Sequence, residues 1–236
     1  MEEYMKKSGE WTVLKSEKNM LKFTEKFSIG SKHWQHEFVD YILSLTKNNR
    51  TFIDAGANYG FVTTAVADHF NHVHSFELIP ETYECLNINV QNYSNVKTYN
   101  FGLGDKDAVV WARRKKRTAG HSQIINNKDW LNYIEKHNQF PKPHLYDIYK
   151  LPIKPLDSFK ITDVDLIKID VEGYEEYVLQ GAVETLTNSK PVIALEICRP
   201  TRSAVERGFT DCIDFLDKLG YKLINQIGQD YFFIPR

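Results

Sequence analysis

Asp54, Glu77, Asp170 and Glu196 each stand at or near the end of a short apolar run, and Glu172 follows Asp170 by two positions. Carboxylates at the carboxyl ends of buried strands sit where open α/β sheets bind their ligands. Asp54 opens the segment DAGANYG, in which Gly56 and Gly60 flank a turn around Asn58. Glycine there permits backbone conformations closed to other residues and lets a ligand approach without meeting a Cβ, while the following helix offers free N–H groups. Glu77 lies about 20 residues further on, the spacing at which an acidic side chain accepts hydrogen bonds from a ribose diol. A glycine turn that serves packing alone also accounts for the loop.

A dinucleotide and S-adenosylmethionine are the two ligands that suit such a turn. The loop departs from the glycine pattern that receives a pyrophosphate at a helix end. S-adenosylmethionine has no phosphate, and a carboxylate near the loop, here Asp54, can meet its ammonium group directly or through water. Asp170, Glu172 and Glu196 could deprotonate an acceptor hydroxyl, orient it, or hold a divalent cation through hard oxygen ligands, with Asp170 and Glu196 as the candidate metal pair. As a structural alternative, Asp170 or Glu172 caps the next helix and Gly173 eases the turn.

Other residues are ambiguous on type and spacing alone. His121, beside Gly120, has the side chain that titrates nearest neutral pH, and is either a base or a surface histidine. The run RRKKR at 113–117 is a solvated loop or hairpin, or a site for an anionic acceptor. Asp105, after Gly104, is a ligand contact or an ordinary turn residue. Trp11, Trp34, Trp111 and Trp130 could line an acceptor pocket such as a sugar face, or pack beneath other segments.

The elements that must position these residues follow from periodicity. HEFVDYILSLTKN places Phe38, Tyr41, Ile42 and Leu45 at helical spacing. RTFID, HVHSFELI, NVKTYNFGL, VDLIKIDVE and PVIALEI read as buried strands, with FVTTAVADHF, ETYECLNINVQNY, EEYVLQGAVETLTN and DCIDFLDKLG as helices between or after them. This alternation predicts a doubly wound α/β fold with a mostly parallel sheet and right-handed crossovers. YKLINQI and DYFFIPR, separated by Gly228-Gln229-Asp230, predict a C-terminal antiparallel hairpin. Two segments stand apart: residues 1–48 as an N-terminal extension and helix, and an insertion at about 106–155 within the domain at 49–236.

With 236 residues and 42% hydrophobic content, the chain can bury one substantial core. A net charge of -1 gives no global attraction to nucleic acid or an anionic membrane. No apolar run reaches the roughly 20 residues of a membrane span and the N-terminus lacks a secretory core, so a cytoplasmic protein is expected. Cys85, Cys198 and Cys212 show neither zinc spacing nor a disulfide framework.

FIDAGANYG, SFELIPETYECLNINV, NFGLGDKD, PLDSF, DLIKIDVEGYEEYVLQGA and PVIALEI together resemble the FkbM-type methyltransferases in order and spacing. The resemblance covers about residues 50–198, and the ending LGYKLI…YFFIP is similar too. It implies a Rossmann-like methyltransferase fold with a seven-stranded sheet and S-adenosylmethionine as cofactor. The cofactor set that goes with this reading is Asp54, Gly56, Asn58, Gly60, Glu77, Leu78, Gly104, Asp105 and Asp170, with the region after the third strand near the adenine. Methylation of a hydroxyl on a saccharide or other small-molecule acceptor, neutral or anionic, is the expected reaction. An NAD-dependent oxidoreductase and a non-catalytic binding module on the same fold are the alternatives, and fold analogy alone does not separate them.

Overall fold

The computed structural model describes residues 3–30, 36–117, 122–197 and 209–236. His33, Trp34, His121 and Cys198 lie outside these, and with His121 goes one of the candidate bases. The chain opens with a hairpin of β1 (Met5–Ser8) and β2 (Trp11–Leu14), then a short helix α1 (Lys18–Thr24) and α2 (His36–Leu45). Next come β3 (Thr51–Ala55), α3 (Phe61–Ala67), β4 (His72–Phe76), α4 (Pro80–Asn89) and β5 (Val96–Tyr99). A smaller group follows: β6 (Gly102–Leu103), β7 (Ala108–Lys115), β8 (Ser122–Ile124), α5 (Lys128–His137) and β9 (Tyr146–Lys154). The chain continues with β10 (Val164–Ile169), α6 (Glu175–Gln180), α7 (Val183–Ser189), β11 (Val192–Glu196), α8 (Phe209–Lys218), β12 (Tyr221–Ile227) and β13 (Asp230–Pro235).

Seven strands form the main sheet in the order β12-β13-β11-β10-β3-β4-β5. The five strands from β11 to β5 pair in parallel, and β13 joins antiparallel to both β11 and β12. The core strands are apolar because both faces are covered, as parallel sheets require. Phe52, Leu166 and Ala194 pack with Phe38, Ile42 and Val66 on one face. Ile53, Ile167 and Ile193 pack with Val178, Leu186 and Leu216 on the other. From β3 the chain winds outward through β4 and β5, then crosses back to β10 and winds the other way. The carboxyl ends of β3 and β10 therefore form the switch point where such sheets open a crevice.

Two further parts close over that crevice. The β1–β2 hairpin, which the polar and poorly periodic opening sequence does not announce, packs Trp11 and Val13 with Met20 of α1 against Tyr59 and Cys85. A buried amide fixes it: Asn89 on α4 accepts from the Thr12 N–H at 2.7 Å and donates to Thr12 O at 3.0 Å and Tyr59 O at 2.9 Å. The segment from β6 to β9 folds as a four-stranded sheet in the order β6-β9-β7-β8. On one face of that sheet, Ile134 of α5 and Phe140 pack against Trp111, Tyr146 and Ile148. α5 is held at its start by Asn127, whose side chain accepts from the Trp130 N–H at 3.0 Å.

Candidate active site

Strand alternation decides what the basic run does. Arg113 and Arg114 are neighbours on β7 and so point to opposite faces. Arg113 turns toward α5, with its guanidinium 4.5 Å from the Trp130 ring centre, 4.7 Å from Tyr146 and 5.3 Å from Phe140. Arg114 turns the other way, onto the wall of a cavity of about 310 Å3 beside the switch point, and pairs with Asp147 at 3.0 Å. Of the expected loop or hairpin, the structure has the hairpin: Arg113 and Arg114 pair with β8 and are committed, while Lys115, Lys116 and Arg117 are exposed.

The glycine turn forms the cavity floor. Gly56 has φ 81°, and a Cβ there would lie 1.8 Å from Asp170 O, so only glycine lets the loops after β3 and β10 meet. Asn58 is also left-handed at φ 51°, which directs its N–H at Glu77. Glu77 Oε2 accepts from Asn58 N at 3.0 Å and Oε1 from Ile79 N at 2.8 Å. Burial raises its carboxyl to about 7, against the pull of those two backbone bonds. Gly56, Asn58, Glu77 and Leu78 line the cavity; Gly60 lies behind it, capping α3 at φ 87°.

Asp54 departs from expectation. It is fully buried and absent from the cavity wall, with Oδ2 accepting from Thr63 Oγ1 at 2.7 Å and Oδ1 3.3 Å from Lys168 Nζ. Lys168 sits directly across from it in the β10–β3 register and also reaches Asp170 Oδ2 at 3.3 Å. Burial alone would lower the Lys168 ammonium; the charges of Asp170 and Asp54 outweigh it and hold the group above its ordinary value. The sequence signal for this buried lysine is a single Lys inside the apolar run DLIKID.

Asp170, Glu172 and Glu196 do converge on the cavity. Asp170 acts on Glu196 across the cavity wall and, with burial behind it, pushes the Glu196 carboxyl up. Burial opposes ionisation of Asp170, but the Lys168 charge, with Glu196 beside it, holds its carboxyl below the ordinary value. Glu172 is raised to about 7 by burial and then by the Asp170 charge. Its backbone is left-handed at φ 56°, as is that of Gly173 at φ 99°. The alternative of a side-chain cap at Asp170 or Glu172 is not what starts α6: its N-cap position is Tyr174, without a side-chain cap bond. Among the described residues no group of three or more His, Cys, Asp or Glu side chains is placed to hold a metal ion.

After β5, Phe101, Gly102 and Leu103 line the cavity rather than Gly104 and Asp105. Gly104 is drawn aside by its N–H bond to Lys154 O at 3.1 Å, and Asp105 lies near Lys106 at 3.8 Å. None of Trp11, Trp111 and Trp130 reaches the cavity; Trp11 donates to Phe27 O at 2.9 Å and packs on Phe61. Among the described residues no helix is long and apolar enough to cross a membrane.

The methyltransferase FkbM domain matches residues 54–223. Methyltransferase 1 of Beauveria bassiana is 23% identical over 176 residues, covering 68% of this chain and 70% of that protein. The crystal structure of methyltransferase FkbM from Methylobacillus flagellatus superposes with a TM-score of 0.51 at 15% identity over 83% of this chain, which spans half the length of that protein. The domain match covers well over half of the sequence, and the chain belongs to the FkbM family of methyltransferases.

Proposed function

We propose that this protein transfers a methyl group from S-adenosylmethionine to a hydroxyl oxygen of a small, polyhydroxylated acceptor. The cavity suits that cofactor better than a dinucleotide. Glu17, Glu77, Asp170, Glu172 and Glu196 face it against only Lys168 and Arg114; Asp170 is held ionised, and a sulfonium and an ammonium would favour ionisation of the others, whereas a pyrophosphate would oppose it. Glu77 keeps lone pairs free beyond its two backbone bonds and would hold the ribose diol. Asp170 stays ionised and would face the cationic end.

When bound, the cofactor supplies an electrophilic methyl carbon and a thioether leaving group that departs with its electron pair. The protein's tasks are to align the acceptor oxygen, exclude water and take up the hydroxyl proton. Glu172 carries this reading: it lines the cavity, its carboxyl titrates near neutral pH, and it occupies an uncommon backbone conformation for a non-glycine residue. Strained residues of this kind cluster at functional sites. Glu172 would accept the proton while Lys168 and Glu196 hold Asp170 in place. Lys168 also puts a fixed positive charge between Asp54 and Asp170, which favours a metal-free base.

A labelled-methyl transfer screen over neutral glycans, polyols, amines, nucleic acids and lipids tests the proposal. Label recovered in an alkali-stable ether is the expected result. Label on nitrogen only, or hydride transfer with a nicotinamide cofactor instead, would overturn it.

A further inference from the structure

We propose that Glu17 and Arg114 together read the acceptor, and that the group they read is an uncharged pair of neighbouring hydroxyls. This rests on the methyl-transfer reading and extends it to residues outside the core sheet. Glu17 follows β2, Arg114 lies on β7, and both line the cavity. Glu17 is 4% exposed, and its Oε2 has no hydrogen-bond partner. The neighbouring Tyr59 hydroxyl acts on its charge, yet it stands outside hydrogen-bond geometry and is itself unpartnered. The Arg114 side chain is 13% exposed; Nη2 is engaged by Asp147, but Nε and Nη1 have no partner.

Buried donors and acceptors in folded proteins are almost always satisfied, so unpaired ones on a cavity wall call for a ligand that completes them. The missing partners are of both kinds, a donor for Glu17 and acceptors for Arg114. A hydroxyl is donor and acceptor at once, and two on adjacent carbons can serve both residues. An anion would satisfy Arg114 but face Glu17 and the carboxyls beyond it; an amine would satisfy Glu17 but face Arg114 and Lys168. Both residues are held by rigid parts. Asn89 clamps the strand before Glu17, and Asp147 braces Arg114 while Tyr149 beside it donates to Glu81 on α4 at 3.0 Å.

Binding of myo-inositol and of methyl glycosides of neutral hexoses, measured by saturation-transfer NMR with S-adenosylhomocysteine present, tests this without requiring turnover. Matched uronic acids, sugar phosphates and amino sugars form the charged panel. Neutral polyols should bind the native protein, and Glu17→Gln and Arg114→Lys should each weaken them about tenfold. Cofactor affinity should change far less than polyol affinity in both variants, and Glu17→Gln, being isosteric and with an unchanged melting temperature, guards against misfolding of the other. Polyol binding that depends on both residues without any methyl transfer would support this pair and sink the reaction proposed above. Transfer to an acceptor to which both variants are indifferent, preference for the charged panel, or no polyol binding would overturn the pair.

Discussion

Lys168 Nζ lies 3.3 Å from Asp170 Oδ2, inside a sheet whose neighbouring strand supplies a second carboxylate, Asp54, at the same distance. The ammonium is the only cation at the meeting point of the two central strands among the residues lining the cavity floor, so both carboxylates depend on it. Lys168→Met keeps the aliphatic stem and strands two buried negative charges. Removing one partner from a buried pair costs about 3–5 kcal/mol, which chemical denaturation should register. A loss within about 0.5 kcal/mol would mean that the carboxyls simply protonate.

Glu172→Gln and Asp170→Asn both preserve shape and remove charge. Each should reduce kcat roughly a hundredfold, the usual loss for a general acid–base group or its electrostatic partner, with a smaller change in cofactor affinity. A chelator should leave native turnover unaltered, and restoration by magnesium after chelation would contradict the metal-free reading. Near-native kcat in Glu172→Gln would move the base elsewhere.

Glu77 and Glu172 in the cavity, with Asp230 opposite Glu196 on the next strand, set a pH dependence of definite sign. Glu77 and Glu172 are raised to about 7 and Asp230 to about 6, so in the free protein they favour their neutral forms. Their contribution to stability is full below the ordinary carboxyl range and is lost as pH rises through the raised values. The melting temperature of the free protein should fall between about pH 5 and about pH 8. Ribose hydroxyls donate to ionised Glu77, so affinity for S-adenosylhomocysteine should rise over the same window and level off above it. Calorimetry on the native protein and on Glu77→Ala checks this: the variant should bind at least about tenfold more weakly and show a flatter profile.

Arg113 and Lys115 share one face of β7 but not one role. Arg113→Ala removes a guanidinium packed among three rings and bonded to Gln123 Oε1 at 2.6 Å. It should cost about 1–2 kcal/mol and speed amide exchange in α5, leaving β3 and β10 protected. Lys115→Ala is exposed and should stay within about 0.5 kcal/mol. Equal exchange in both variants would show that Arg113 is dispensable.

What was legible in the sequence tracks how completely a segment is buried. TFIDA is buried at every position and VDLIKI at all but one, and such unbroken runs announce central parallel strands. The β1–β2 hairpin was hidden because its strands are four residues long and its first, MKKS, buries only its ends. Glu77, Asp170, Glu172 and Glu196 line the cavity where counting from strand ends puts them. Arg114 could not be separated from Arg113 without knowing that the run lies on a strand, since alternation assigns faces only once the element type is known. Asp54 reads as a ligand contact in the sequence because the partner that occupies it, Lys168, is remote in sequence and adjacent only through strand pairing.

The place of β13 has a consequence for how the chain comes off the ribosome. Asp230–Pro235 sits between β11 and β12 although it follows both in sequence. Until those six residues have emerged, β11 presents an unpaired edge carrying Ile193 and Leu195, the kind of edge that recruits other chains. Synthesis stalled after β12 would leave a nascent species with the cofactor crevice already outlined and the sheet still open beside it, a natural client for a chaperone that recognises exposed strands.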